Sequence, residues 1–183
     1  MTTDPPFSAE IISEREIGAF RNAVEFWRNA SAQRGVDFEW IGPKRLAPNM
    51  VGIGNGEVRF SIRTASGGYE VIFAREREGA EDPTYYSRFD DAVKHVVRPL
   101  GTSFRRRTMR ASWLSWRDAV AEGVVREDLD EWTARYSLKR DPSINCIIGS
   151  YDGDEFSPAL TMTTDEFNEA MLTDPGIVPP GRR

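Results

Sequence analysis

One cysteine and one histidine occur in 183 residues, and that scarcity removes whole classes of chemistry. Cys146 has no second cysteine with which to close an internal disulfide. A zinc site wants four ligands, and one His with one Cys leaves a carboxylate-heavy set that zinc rarely takes, so no metal and no cofactor is expected. A Cys146 and His95 dyad is the one nucleophilic pair on offer. Against it, a cysteine within Asn145-Cys146-Ile147-Ile148 has the surroundings of a small buried apolar residue, and His95 stands one helical turn after Asp91, positioned for an i,i+4 pair. The chain also lacks any apolar run of about 20 residues, which excludes a bilayer-spanning helix. Its N-terminus has neither the basic nor the apolar region of a signal peptide, so a cytoplasmic location is expected.

What is present suits one soluble domain. Hydrophobic residues make up 39% and charged residues 29%, and a chain of this size buries roughly 70% of its unfolded surface. Residues 1–183 are read as a single domain with flexible ends at 1–12 and 174–183. The net charge of −5 is unevenly spread. Residues 1–110 carry 15 acidic against 17 basic side chains, and residues 111–183 carry 14 against 7. An acidic C-terminal part disfavours phosphate backbones, which speaks against a nucleic-acid partner, and it suits a basic protein surface.

Periodicity supplies most of the elements. Ser13 with Glu16 forms a capping box, and Ile17, Phe20, Val24 and Trp27 recur at helical spacing up to Gly35. Phe26 widens that apolar face, so the helix is expected to lie across a sheet. Val58, Phe60 and Ile62 alternate with Glu57, Arg59, Ser61 and Arg63, and Tyr69, Val71 and Phe73 resume the alternation after Ser66-Gly67-Gly68. Asn55-Gly56 pairs an earlier strand through Val51 and Ile53 with the one beginning at Glu57, giving three antiparallel strands. Tyr85-Tyr86 reads as a short strand. A helix then runs from Phe89 through Val93, Val96 and Val97 to Leu100, with Asp90 and Asp91 in its first turn and Gly101 as its stop.

The remaining third is read as two short helices, Trp113 to Val125 and Asp128 to Leu138, followed by a buried strand at Ile144 to Ile148. Asp152-Gly153 supplies a turn to a return strand near Ala159 to Met162, and Thr164 caps a last helix with Phe167, Ala170, Met171 and Leu172. The fold class is therefore α+β, an antiparallel sheet with N-terminal and C-terminal helices packed on it. Strand, turn, strand and helix would occur twice, in residues 57–100 and 144–172, without matching residue identities.

Three further patterns read as structure. Gly52, Gly54 and Gly56 precede a strand, whereas a dinucleotide fingerprint opens a helix. Arg105-Arg106-Arg107 with Arg110, near Phe104, Trp113 and Trp116, has the ingredients of a single-strand nucleic-acid platform, but arginines there also complement a helix C-terminus. Asp152, Asp154 and Glu155 lack the spacing of a calcium loop and read as a solvated hairpin tip.

Gly56-Glu57-Val58-Arg59-Phe60-Ser61-Ile62-Arg63, Gly67-Gly68-Tyr69-Glu70-Val71, Glu76-Arg77, and a helix leading to Leu100-Gly101 and Arg105 together resemble an actinobacterial immunity-protein family of polymorphic toxin systems. The resemblance covers residues 36–107. It implies a stoichiometric inhibitor of a cognate protein toxin that performs no chemistry itself. Related toxin systems add an NAD-degrading toxin as one specific form, with nuclease and deaminase toxins open. The exposed acids Asp152, Asp154 and Glu155 are the first candidates for toxin contact. Two other classes stay in view: a small-molecule or nucleotide-binding module with a pocket lined by Trp40, Phe60, Tyr69 or Trp113, and an enzyme using Glu57 or Glu76.

Overall fold

The computed structural model describes residues 10–76, 79–80, 83–109, 114–115 and 119–174. Helix α1 (Glu14–Gln33) starts at the expected capping box: the Ser13 amide donates to Glu16 Oε2 at 2.7 Å, and the Glu16 amide donates to Ser13 Oγ at 3.2 Å. Strands β1 (Ile41–Ala47), β2 (Met50–Gly54), β3 (Val58–Ala65) and β4 (Gly68–Arg75) form an antiparallel meander. The expected pairing forms, with Val51 opposite Ile62 and Ile53 opposite Phe60. β5 (Gly79–Ala80) pairs with the end of β4, and β6 (Thr84–Tyr86) with its beginning. After α2 (Phe89–Thr108) come β7 (Val124–Asp128), β8 (Thr133–Leu138) and β9 (Asp141–Gly149), then α3 (Ser150–Phe156), a 3-10 turn (Ser157–Thr161) and α4 (Thr164–Thr173).

All pairings are antiparallel, and the main strand path runs β1-β2-β3-β4-β6-β9-β8-β7. Short β6 welds two meanders into one sheet, with Tyr85 opposite Ile147 and Tyr86 opposite Cys146. Alternate residues Val51, Phe60, Ile62, Val71 and Tyr86 point to one face and join Phe20, Trp27, Val96 and Phe167 in a single core. Helices α1, α2 and α4 cover that face, and the indole N–H of Trp27 donates to Asn168 Oδ1 at 3.0 Å to tie α1 to α4. The fold is α+β. No helix among the described residues is long and apolar enough to cross a membrane.

Several expectations are corrected. Gly101 does not stop α2, which continues to Thr108 and takes Arg105, Arg106 and Arg107 into its last turn. This glycine is there for packing: a Cβ would lie 2.7 Å from both the Met171 methyl and a Trp27 ring carbon. Gly101→Ala should therefore destabilise the fold by about 1–3 kcal/mol through overpacking, although alanine is the better helix former, and a urea titration measures it.

Asp128 to Leu138 is a hairpin rather than a helix, because Ala134, Tyr136 and Leu138 bury one side of β8 at period two. Residues 119–125 are bend, turn and the start of β7; Trp113 and Trp116 lie outside the described residues. The segment near Ala159 is a 3-10 turn, since four consecutive residues, Ser157 to Leu160, are buried and a strand would expose alternate ones. The second strand-turn-strand unit therefore does not form. The cap of α4 is Thr163, one residue earlier than expected.

The ends are also more ordered than their composition suggests. Ile12 is buried, and its amide donates to Pro48 O at 3.1 Å. Asp174 is buried too: its backbone oxygen accepts from Arg105 at 2.6 Å, and its carboxylate accepts from the Ser115 hydroxyl at 2.7 Å. The expected frayed tail at 176–183 and residues 1–9 lie outside the described residues.

Candidate partner-binding surface

The sequence-predicted acids stand on α3 instead of a hairpin tip. Gly149 ends β9 and α3 begins at once, resting Gly153 on the Tyr136 ring so closely that a Cβ would approach a ring carbon to 2.1 Å. Asp152 faces Arg98 of α2 at 3.2 Å. Asp154 accepts from the Tyr136 hydroxyl at 2.7 Å and from Arg126 of β7 at 3.0 Å, and Glu155 is of intermediate exposure. Burial raises the Tyr136 pKa, and the Asp154 carboxylate raises it further.

Asp154 thus works as a fold residue, and Asp152 as a surface one. Asp154→Ala removes the charged acceptor of the part-buried Tyr136 hydroxyl, leaving it the Ser150 carbonyl, and also the partner of Arg126, and should cost about 1–2 kcal/mol. Asp152→Ala removes the exposed partner of Arg98, whose own side chain is 15% exposed, and should cost about 1 kcal/mol or less. Thermal melts of the two variants measure the contrast.

Arg126 links α3 to the hairpin. Besides Asp154 it donates to Asp128 at 2.7 Å, so the Asp154 carboxylate lies beside the β7–β8 hairpin. That turn carries Glu127, Asp128, Asp130 and Glu131 around two large apolar residues, Leu129 and Trp132. Trp132 is 74% exposed and Leu129 42% exposed. The tip is built: Asp130 Oδ1 accepts from the amides of Trp132 and Thr133, both at 2.8 Å, and the Leu129 amide donates to Thr133 O at 2.9 Å. The amide of Trp132 is the first cause, and that of Thr133 a further one, holding the Asp130 carboxyl below its ordinary value. On the strands behind, Arg135 pairs with Glu127 at 2.9 Å.

Reading Asp128 to Leu138 as a helix gives Trp132 no role of its own. The signal was available: Asp130 can close an Asx turn onto the residues two and three ahead, and Thr133 begins a period-two pattern.

The residues singled out for other chemistry are dispersed. Asp91 does not pair with His95; it binds Arg88 at 2.7 Å and Lys94 at 2.6 Å. His95 instead has its Nδ1 at 2.5 Å from the Tyr86 hydroxyl and its ring against Phe156. Burial, aided by Arg98, pushes its pKa down to about 3, so it stays neutral across ordinary pH. Cys146 is wholly buried, which drives its thiol pKa up.

Trp40 packs on Phe60 at 5.8 Å between ring centroids, and the Tyr69 hydroxyl donates to Glu16 at 2.5 Å. These three serve the helix-covered side of the sheet, and Trp113 lies outside the described residues. Glu57 and Glu76 are exposed where β3 begins and β4 ends. Arg107 binds Glu39 at 3.0 Å and Arg105 is buried against the end of α4, which breaks up the basic run as a continuous platform. Among the described residues no group of three or more His, Cys, Asp or Glu is placed to hold a metal ion.

The chain is thus an α+β domain whose sheet is covered by helices on one side and which presents an acidic hairpin with an exposed tryptophan. No protein family matches it, and no curated protein matches it significantly. A solved structure, Rv3902c from M. tuberculosis, superposes on it with a TM-score of 0.58 over 92% of each chain, at 13% sequence identity. At that identity the likeness is one of fold.

Proposed function

We propose that this protein is a cytoplasmic immunity protein that binds a cognate toxin and blocks its active site, without catalysing a reaction. The observation that carries this reading is Trp132, exposed at a hydrogen-bonded hairpin tip amid four carboxylates. Aromatic anchors of this kind dominate protein–protein binding energy, and a ring of acids steers a basic partner onto them. A toxin that binds phosphates or a dinucleotide has such a basic pocket, and an NAD-degrading toxin is one example alongside nucleases and deaminases. The likeness of residues 36–107 to an immunity family supports the same reading.

The mechanism follows from rigidity. The hairpin is ordered by its own Asx turn and braced to α3 through Arg126, so it docks with little loss of conformational entropy. Asp152, in the same region, then contributes to steering more than to affinity.

The test is growth rescue by this protein against the toxin domain encoded beside its gene, followed by co-purification. Rescue with a stable complex that Trp132→Ala disrupts supports the proposal. Rescue without a complex points to an enzyme that reverses the damage. No rescue overturns the immunity reading in favour of a ligand-binding module.

A further inference from the structure

The outer face of the first meander, opposite the helices, holds an open cleft of about 550 Å³, a size typical of sites that take a large side chain or a small ligand. Its floor includes Gly54 and Gly52, the latter with Leu46 lying over it, where a Cβ would come to 2.9 Å from Leu46 Cδ1. Adding a Cβ at Gly52 would meet Phe60 O at 2.6 Å, and at Gly54 Val58 O at 2.9 Å. Ile41 and Leu46 line it and are 60% and 46% exposed, an unusual cost for large aliphatic residues beside an edge strand. Its rim is basic on balance, with Lys44, Arg59 and Arg75 against Glu57 and Glu76. Lys44 and Arg59 have no carboxylate partner among the described residues, whereas Arg45, Arg63, Arg88, Arg107, Arg126 and Arg135 are each paired with one.

The acidic hairpin has the complementary character. It offers an exposed indole and a leucine, and its four carboxylates are balanced by only Arg126 and Arg135. The two features lie toward opposite ends of the same sheet, the cleft by the β1 edge and the hairpin by the β7 edge. We propose that the β7–β8 hairpin of one copy docks into the β1–β4 cleft of a second copy, Trp132 on the glycine floor between Ile41 and Leu46, with the hairpin acids facing Lys44 and Arg59. Such a contact is heterologous: the bound pair still presents one unused cleft and one unused hairpin, so association proceeds head to tail beyond a dimer. It also sequesters Trp132 when no other partner is present. The inference rests on the two surfaces and not on the toxin reading.

The experiment is sedimentation velocity on the full chain from micromolar to near-millimolar concentration, for the wild type, Trp132→Ala and Leu46→Glu, with Arg59→Glu as a second cleft variant. The wild type should grow with concentration past twice the 20.7 kDa monomer mass, and added salt should reverse the growth. Each variant alone should stay monomeric. An equimolar mixture of Trp132→Ala, whose cleft is intact, and Leu46→Glu, whose hairpin is intact, should form a pair and stop there.

A wild type that remains monomeric throughout overturns the proposal. So does a closed dimer retained by the variants, or a mixture that does not pair. Growth rescue by Leu46→Glu is read separately, so loss of self-association leaves the immunity reading standing.

Discussion

Trp132→Ala should weaken binding to the cognate partner by about 30-fold or more while leaving the melting temperature nearly unchanged. The size follows from the position: truncating a central aromatic anchor costs at least about 2 kcal/mol of binding, and every 1.4 kcal/mol is a factor of ten. Stability is spared because the side chain is three-quarters solvated and the turn is held by backbone amides on Asp130. Titration calorimetry of the toxin complex, with a thermal melt of the free variant, measures both halves. Equal affinity of the variant and the wild type would remove the hairpin from the interface. The acids around the tip should behave differently: Glu131→Gln should slow association and flatten its salt dependence, with a smaller change in dissociation.

The largest loss of stability is expected at Lys94. Its ammonium is wholly buried, and it donates to the backbone oxygens of Ala159 and Met162 while pairing with buried Asp91 at 2.6 Å. Burial drives the Lys94 pKa down and Asp91 opposes that shift. Lys94→Met removes the cation, strands two carbonyls of the 3-10 region and leaves Asp91 leaning on Arg88 alone, at a cost of about 3–5 kcal/mol. For a domain of this size that lowers the melting temperature by about 10 °C. The double variant Asp91→Asn, Lys94→Met should recover part of the loss, because the uncompensated carboxylate goes with it. Loss of only a few tenths of a kcal/mol in the single variant would show that the ammonium is poorly satisfied in the folded protein.

Both predictions concern residues whose roles a linear reading places differently. Lys94 reads as one polar residue in an amphipathic helix, since its partners are two carbonyls more than 60 positions away. Trp132 falls within the stretch Asp128 to Leu138 that reads as a helix, whereas its strand begins one residue later at Thr133 and leaves it exposed.

For α1 and strands β2 to β4, by contrast, local rules suffice, although β1 (Ile41–Ala47) is not among the three strands that they give. The capping box at Ser13, the hairpin turns at Asn55-Gly56 and Ser66-Gly67-Gly68, and the period-two faces of β3 and β4 each follow from interactions spanning fewer than ten positions. The buried strand around Cys146 was legible from its apolar run alone.

By itself, then, the sequence determined the α+β class, the first helix, the pairing of the central hairpins, and the absence of a second cysteine or histidine with which to build a reactive site. Tertiary structure decided the rest. It carried α2 past Gly101, where Trp27 and Met171 leave no room for a side chain. It buried all four residues from Ser157 to Leu160 in a 3-10 segment, with the Lys94 ammonium donating to the carbonyls of Ala159 and Met162. It placed Asp154 under Tyr136 while leaving Trp132 in solvent. The physical reason is common to all three: periodicity reports which side of an element is apolar, whereas burial of a charge, close approach of a glycine and exposure of an aromatic depend on neighbours that only the folded chain brings together.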